Sequence, residues 1–214
     1  MKLVKIILNS EETFKDKDAE GLRGFIGNIF KDQLLFHNHI ESKKFNYSSP
    51  LIQYKIIDGK LAIIGIDKGA DILIENIEKI KEIKLKNKII PVTPNLTMTF
   101  PEIKVTKKFQ KYEFKSVWFA LNQENYRKYR NGELLLSVQL RNNIIEFFKM
   151  CGITLNQEIF VEGNFKEKIF FSKNIKMIGF LGEFKTNVIL PDDISLGKRK
   201  STGFGRVRSV KCFN

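Results

Sequence analysis

The chain contains only two histidines, and they lie two residues apart. His37 and His39 flank Asn38 in the stretch between a predicted helix and the next predicted strand. In extended backbone, residues i and i+2 lie on the same face, so both imidazoles could reach one substrate. Histidine exchanges a proton near neutral pH because its unperturbed pKa is about 6.5. The pair therefore predicts general acid–base chemistry, with half of a metal site or two surface loop residues as the alternatives.

A metal site would need more ligands than this pair. No third cluster of His, Cys and carboxylate with metal-ligand spacing occurs in the sequence. We therefore expect no metal and no other cofactor.

The second chemically informative segment is residues 195–208, called the glycine-rich segment below. It contains three glycines and five cations. Glycine lets the backbone approach a ligand closely, and its N–H groups can then point at phosphate oxygens. Since Gly205 is followed by Arg206 and a strand-like tail, the segment is not typical of a mononucleotide P-loop. We expect a phosphate-binding loop formed by Gly197, Lys198, Arg199, Lys200, Ser201, Gly203, Phe204, Gly205, Arg206 and Arg208. The alternative is a glycine-rich β-turn with a solvated basic face.

Charge is distributed unevenly along the chain. The formal net charge is +13; residues 1–105 carry 17 basic and 14 acidic groups (+3), and residues 106–214 carry 20 and 10 (+10). A surface whose charge is predominantly positive raises the local concentration of polyanions and speeds their binding. Nucleic acid is therefore the predicted partner class, although the bias of the whole genome towards lysine is an alternative source of part of this charge.

Composition indicates a soluble protein of the reducing cytoplasm. The 214 residues are 43% hydrophobic and include 19 Phe, which is enough for one large or two small cores. Cys151 and Cys212 are too few for a disulfide framework. No apolar run approaches the length of a membrane helix, and the first nine residues are typical of a strand rather than a signal peptide. We expect no membrane partner.

Hydrophobic periodicity divides the chain into two similar halves. In the first half, the Asp58-Gly59 pair is typical of a β-hairpin turn. The elements predicted there are a strand over residues 1–9, a helix over 18–34, strands over 50–57 and 61–66, a helix over 68–80 and a strand over 83–90. This β-α-β-β-α-β order is the ferredoxin-like pattern. Pro91, Pro94 and Pro101 then indicate a linker.

The second half is again rich in strands. The elements predicted there are strands near 111–120, 157–163, 166–171, 175–190 and 203–210 and one long helix over 133–150. A second helix is not evident. The fold class is therefore α+β, with two tandem ferredoxin-like (RRM-like) domains: residues 1–95 with the histidine pair, a linker over 96–105, and residues 106–214 with the glycine-rich segment.

Several segments, taken in order, resemble one protein family. In the first half they are residues 22–27, 37–39, 47, 50, 53–57 and 65–66; in the second half they are residues 114–122, 179–184 and the glycine-rich segment. The set is similar to the CRISPR-associated endoribonucleases that cut repeat RNA into guide RNAs. These form the repeat-processing branch of the RAMP proteins, and this chain resembles most the subtype of type I-B systems. The resemblance implies two ferredoxin-like domains and CRISPR repeat RNA as the partner. It leaves open other Cas subunits of a type I complex and a homodimer.

The resemblance also implies a reaction. Family members cleave RNA without metal: the ribose 2′-OH attacks the adjacent phosphate and leaves a 2′,3′-cyclic phosphate and a 5′-OH. His39 would then be the principal base or acid, His37 its partner and Tyr47 an orienting or proton-donating group. Lys43 and Lys44 would bind the RNA and stabilise the charged transition state. Where the family loop begins Gly-x-Gly, this chain has Ser195, which implies a less permissive backbone.

Two other classes remain open at this point. A non-catalytic RNA-binding RAMP subunit of a guide-RNA complex would keep the basic segment without needing paired histidines. A metal-dependent nuclease or phosphatase would need a carboxylate cluster, which the sequence does not contain.

Overall fold

The computed structural model describes residues 1–37, 39–40, 44–45, 50–172 and 175–210; it leaves out the side chains of Leu34, His37, His39, Ile40, Lys44, Phe45, Ser172 and Ile175. The chain forms two compact units. The first comprises Met1–Pro101 together with Ser201–Gly203, and the second comprises Glu102–Lys200 and the residues from Phe204 onward.

The first unit is a four-stranded antiparallel sheet with helices. Its elements are β1 Leu3–Asn9, α1 Asp18–Ile29, α2 Leu34–His37, β2 His39–Ile40, β3 Lys44–Phe45, β4 Ile52–Ile57, β5 Lys60–Ile66, α3 Lys68–Asn76 with a 3-10 turn at Ile77–Lys79, β6 Glu82–Leu85, β7 Lys88–Pro91 and β8 Thr93–Thr99. The sheet order is β4-β5-β1-β8, and β2-β3 and β6-β7 form separate two-stranded sheets. Taking β1, β4, β5 and β8 as the four successive strands, this order is that of a ferredoxin-like domain.

Local turn chemistry explains the pairing of β4 with β5 at one edge of this sheet. β4 and β5 pair from Ile52↔Gly65 to Ile57↔Lys60. Asp58 and Gly59 connect them with φ values of 50° and 77°. Positive φ at both central residues is the geometry of a type I′ turn, which matches the right-handed twist of the two strands. The predicted hairpin is therefore confirmed.

The helices of the first unit cover one face of its sheet. Leu22 and Ile26 of α1 are fully buried in one cluster with Val4, Ile6 and Ile63. α1 is shorter than predicted, because it ends at Ile29 and the Phe30 amide closes the last turn on the Ile26 carbonyl at 3.1 Å. At its start, Asp18 accepts from the Lys15 amide (3.0 Å) and from Lys86 (2.7 Å). Burial raises the pKa of Asp18, but these two donors outweigh burial and hold its pKa below the ordinary value.

The predicted strand over 83–90 is wrong. Lys86 and Asn87 adopt φ values of 48° and 66°, so the chain turns there and forms the hairpin β6–β7. The fourth strand of the main sheet is instead β8, which pairs with β1 from Leu3↔Thr99 to Asn9↔Thr93. β8 takes in part of the stretch that the sequence assigned to a linker. It contains Pro94, and edge strands are where a proline is tolerated within a sheet.

The second unit repeats the same sheet order. Its elements are β9 Lys104–Phe114, α4 Gln123–Arg130, α5 Leu136–Met150, β10 Val161–Ser172, β11 Ile175–Ile189 and β12 Val207–Ser209; a 3-10 turn at Lys200–Thr202 begins in this unit and continues into Ser201–Gly203, which belong to the first. The order is β10-β11-β9-β12. The two short strands predicted near 157–163 and 166–171 form one strand, β10. Between β11 and β12, where a ferredoxin-like domain has its second helix, the chain has the glycine-rich segment with a single 3-10 turn.

Aromatic side chains fill the core of the second unit. Trp118 is fully buried; its ring stacks on Phe114 with centroids 5.0 Å apart and tilts against Phe165 and Phe180. Its indole N–H donates to Asn143 Oδ1 of α5 at 3.1 Å, so the polar atom of the ring is satisfied within the core.

The prediction of two tandem ferredoxin-like domains is therefore confirmed by the sheet orders of both units. Within the described part of the chain, no helix is both long and apolar enough to cross a bilayer.

Candidate nucleic-acid interface

The histidine segment follows α1 in the first unit. His37 is the last residue of α2, and His39 is the first residue of β2, where it pairs with Phe45 of β3. A shared face for the two imidazoles would require extended backbone at both histidines, but His37 belongs to a helix, so the i, i+2 spacing does not place them on one face. Lys44 lies in β3, opposite Ile40. Asn38, Lys43 and Tyr47 lie outside the described residues.

The residue before His37 anchors this segment in the core. The Phe36 ring is 1% exposed and stacks on Phe30 with centroids 4.5 Å apart. The hydroxyl of Tyr54 on β4 donates to the Phe36 carbonyl at 3.5 Å. Burial raises the pKa of Tyr54 above its ordinary value, so this phenol remains a neutral donor. Packing of Phe36 therefore fixes the position of the residue that precedes His37 in α2.

The glycine-rich segment is built on a short antiparallel ladder. The Asp193 amide donates to the Val207 carbonyl (2.8 Å), the Val207 amide to Ile194 (3.0 Å) and the Leu196 amide to Gly205 (2.9 Å). Ser195, which stands where the family has glycine, bridges Arg206 in this ladder and does not have a positive φ. Serine therefore fits this position without backbone strain.

Each glycine of the segment lies against neighbouring backbone or an aromatic ring. A Cβ at Gly205 would lie 2.0 Å from the Leu196 carbonyl oxygen, and a Cβ at Gly197 would lie 2.6 Å from the indole nitrogen of Trp118. A Cβ at Gly203, in the first unit, would lie 2.9 Å from the carbonyl oxygen of Tyr54 on the edge strand β4. All three glycines have positive φ, between 68° and 85°. The fold therefore requires glycine at these positions whatever the segment binds.

Arg206 is not a surface cation. Its side chain is 9% exposed, and it donates to Asp193, which is 1% exposed, at 2.9 Å. Its amide donates to Ser116 Oγ at 2.9 Å. Arg208 lies 3.4 Å from the same Asp193 carboxylate with a third of its side chain exposed. The prediction of a phosphate contact at Arg206 is therefore corrected: burial and the ion pair with Asp193 make it part of the support of the segment.

The cations that face solvent lie at the tip of the segment. Lys198 and Arg199 are exposed, and Arg199 has a φ of 56°. Lys200 is half-buried and forms an ion pair with Glu146 of α5 at 2.6 Å. Phe204 is 2% exposed; its ring packs against Phe119 and Phe170 with centroids 4.8 and 5.2 Å away, so it belongs to the core rather than to a ligand surface. Ser201 is half-buried beside the buried Thr202.

Asp193 is the supporting residue that sequence reasoning missed. Its signal was the Asp192-Asp193 pair immediately before a stretch that has no acid. Asp192 also supports the strand that follows, since its carboxylate accepts from the Ser209 amide at 2.7 Å. Among the described residues, no group of three His, Cys, Asp or Glu side chains is placed to hold a metal ion.

Comparison with known families covers both units. Residues 1–99 match the model of the Cas6b N-terminal domain, and residues 104–210 match the model of the Cas6b C-terminal domain. The chain belongs to the Cas6b family. The resemblance predicted from ordered motifs is thereby confirmed.

Solved structures extend the match to the whole chain. A crystal structure of a Cas6b is 33% identical with a TM-score of 0.89, covering 98% of this chain and 100% of that one. A second, of a Cas6b described as a CRISPR RNA processing endoribonuclease, is 30% identical with a TM-score of 0.76 and the same coverage. An uncharacterised protein of Methanocaldococcus jannaschii is 32% identical over 146 residues, which are 64% of this chain and 98% of that protein. A Cas6 of Thermus thermophilus, 10% identical with a TM-score of 0.59, shares the fold.

Proposed function

We propose that this Cas6b chain is an endoribonuclease that cuts CRISPR repeat RNA and holds the RNA through its second unit. The match of both units to Cas6b carries this proposal. Support comes from the solved Cas6b described as a CRISPR RNA processing endoribonuclease, which aligns over 98% of this chain. The exposed Lys198 and Arg199 provide cations for phosphates. The buried Phe36, directly before His37, holds the start of the histidine segment in place.

The proposed chemistry is a transesterification within the RNA. A base removes the proton of a ribose 2′-OH, the 2′-oxygen bonds to the adjacent phosphorus, the bond from phosphorus to the 5′-oxygen breaks, and an acid gives a proton to that oxygen. The products are a 2′,3′-cyclic phosphate and a 5′-OH. His39 acts as the principal base or acid, His37 as its partner and Tyr47 as an orienting or proton-donating group. Lys43 and Lys44 stabilise the added charge of the phosphorane.

The test is a single-turnover cleavage assay on cognate repeat RNA with one 2′-deoxy nucleotide placed immediately 5′ of the cut. Removing the nucleophile should block cleavage, while excess chelator should leave the rate of the all-ribose substrate unchanged. Cleavage of the deoxy substrate would contradict 2′-OH attack. Tight binding of repeat RNA without any cleavage would instead favour a non-catalytic RNA-binding subunit.

A further inference from the structure

The second unit contains a cavity that the proposed reaction does not use. It lies between α5 and residues 152–159, which follow that helix, and its volume is about 710 Å³. This volume is within the range of small-ligand pockets. Arg141, Ile145 and Lys149 line it from the helix side. Because these positions are four residues apart, they lie along one face of α5.

Both ends of the segment that closes the cavity are fixed. α5 ends at Met150; two residues later Gly152, with a φ of 67°, turns the chain back, and the Ile153 amide donates to the Phe148 carbonyl at 3.0 Å. At the other end, Asn187 of β11 donates to the Glu158 carbonyl at 3.0 Å and accepts from the Phe160 amide at 2.8 Å. The cavity is therefore a preformed feature of the unit.

The lining combines an aliphatic floor with cations. Ile145, Ile153, Leu155 and Ile159 provide the apolar surface, while Arg141 and Lys149 provide two positive charges against the single carboxylate of Glu158. The Nε–H of Arg141 is buried and finds no hydrogen-bond acceptor within the described part of the chain. Few buried donors in folded proteins lack a partner, so Arg141 is a side chain with an unused donor. An apolar surface can cover the face of a nucleobase, and the adjacent guanidinium and ammonium groups can bind its phosphate.

The cavity is also a neighbour of the glycine-rich segment. Lys200 of that segment forms its ion pair with Glu146, and Lys149 follows Glu146 by three residues on α5. Residues three apart on a helix lie side by side. An RNA strand bound at Lys198 and Arg199 would therefore have the cavity close to its path.

We propose that this cavity holds one unstacked nucleotide of the bound RNA. The base lies on the aliphatic floor formed by Ile145, Ile153, Leu155 and Ile159, and Arg141 and Lys149 bind its phosphate. The cavity thus sets which nucleotide is held at a fixed distance from the glycine-rich segment. This inference rests on the proposed function, because it takes RNA as the ligand.

Photocrosslinking tests the location. The RNA carries one 4-thiouridine at a time at each position of the repeat, and the crosslinked peptides are identified by mass spectrometry. One position, or two adjacent positions, should crosslink to the peptide that contains residues 141–159. Crosslinks from every position to other peptides alone would overturn the proposal.

Charge reversal tests the energetic contribution, with a matched control in the same unit. Arg141→Glu and Arg127→Glu on α4 change the net charge equally, but only Arg141 lines the cavity. Arg141→Glu should weaken RNA binding about tenfold more than Arg127→Glu, because only Arg141 contacts the phosphate of the held nucleotide and one hydrogen bond to a charged group is worth about this much. Lys149→Glu, at an exposed position, serves as the second variant if Arg141→Glu does not fold.

The outcomes separate the two proposals. Equal affinities of the cavity and control variants, with normal cleavage by the wild type, would overturn the nucleotide site and leave the proposed function intact. A wild type that neither binds nor cleaves repeat RNA would overturn both.

Discussion

Asp193 is the residue that most directly fixes the glycine-rich segment. Its carboxylate is buried and accepts from Arg206 at 2.9 Å, while its amide donates to the Val207 carbonyl. Its φ of 67° lies in the left-handed region, where Asp and Asn are the best tolerated residues after glycine. A buried ion pair adds little to stability compared with an apolar pair, but removal of one partner leaves the other charged and unpaired in the core.

We therefore expect Asp193→Asn to be strongly destabilising. Asn keeps the shape and the tolerance of positive φ, so the change removes only the charge that Arg206 needs. The expected loss is about 3 kcal/mol in the free energy of unfolding, measured by urea denaturation. Asp192→Asn is the control, since Asp192 is exposed and should cost less than about 1 kcal/mol. Similar losses for both variants would show that the Arg206 pair is not the anchor of the segment.

The proposed role of the histidines leads to a second prediction at this scale. Proton transfer typically contributes about 10²–10⁴-fold, so His39→Ala should slow single-turnover cleavage by about that factor and leave RNA affinity nearly unchanged. His37→Ala and Tyr47→Phe should slow it less. The pH–rate profile of the wild type should bend near neutral pH. Full activity of the His37→Ala/His39→Ala double variant would contradict the mechanism.

At the scale of elements, the sequence predicted what local chemistry determines. The β4–β5 hairpin followed from Asp58-Gly59, whose residue types favour the observed turn. The β6–β7 hairpin was missed because Lys86 rarely adopts a positive φ, so its sequence carries no turn signal. α4 was missed because it has no buried residue. Its contacts include the Asn122 cap, which accepts from the Asn125 amide at 2.7 Å, and the Tyr129 ring, 5.5 Å from Phe180. Hydrophobic periodicity cannot detect a helix of this kind.

The candidate site divides in the same way. Its basic and glycine-rich composition is evident in the sequence. Which cation is exposed, as Lys198 is, and which is buried, as Arg206 is, depends on the tertiary contact between Arg206 and Asp193. Burial of a cation is decided by its partner in space, and an isolated sequence gives no signal of that partner.

The glycine contacts lead to a prediction for the segment as an element. Gly205→Ala places a Cβ 2.0 Å from the Leu196 carbonyl oxygen at a φ of 68°, so the ladder must shift. Gly132→Ala is the matched control, because it also has a positive φ (79°) but no atom lies within 4 Å of its Cβ. The control should lose about 1 kcal/mol of stability from backbone strain alone, and Gly205→Ala about 3 kcal/mol or more. Equal unfolding midpoints for the two variants would mean that the close contact at Gly205 relaxes at no cost.

At the scale of the whole molecule, the excess positive charge and the histidines proposed for cleavage lie in different halves of the sequence. Residues 1–105, which contain both histidines, have a formal charge of only +3, while residues 106–214 have +10. Excess positive charge acts on a polyanion over a Debye length, about 8 Å at physiological salt, and does not depend on base sequence. We therefore expect the second unit to supply most of the salt-dependent affinity and the histidine segment to supply the cut.

The last prediction separates specific phosphate contacts at the tip from this general charge. Lys198→Gln with Arg199→Asn removes the two exposed cations of the segment; Asn is chosen because residue 199 has a positive φ. If both contact phosphates, the slope of log affinity against log salt should fall by about 1.4, from about 0.7 per contact on single-stranded RNA. Lys107→Gln with Lys108→Gln on β9 removes the same charge from two exposed positions outside the segment and should change the slope much less.

The measurement is fluorescence anisotropy of labelled repeat RNA across a salt series, with an unrelated RNA in parallel. The tip variant should weaken binding of both RNAs alike, since phosphate contacts carry no sequence information. Identical slopes for the tip and control variants would show that the segment acts only through net charge, and the glycines would then serve the fold alone.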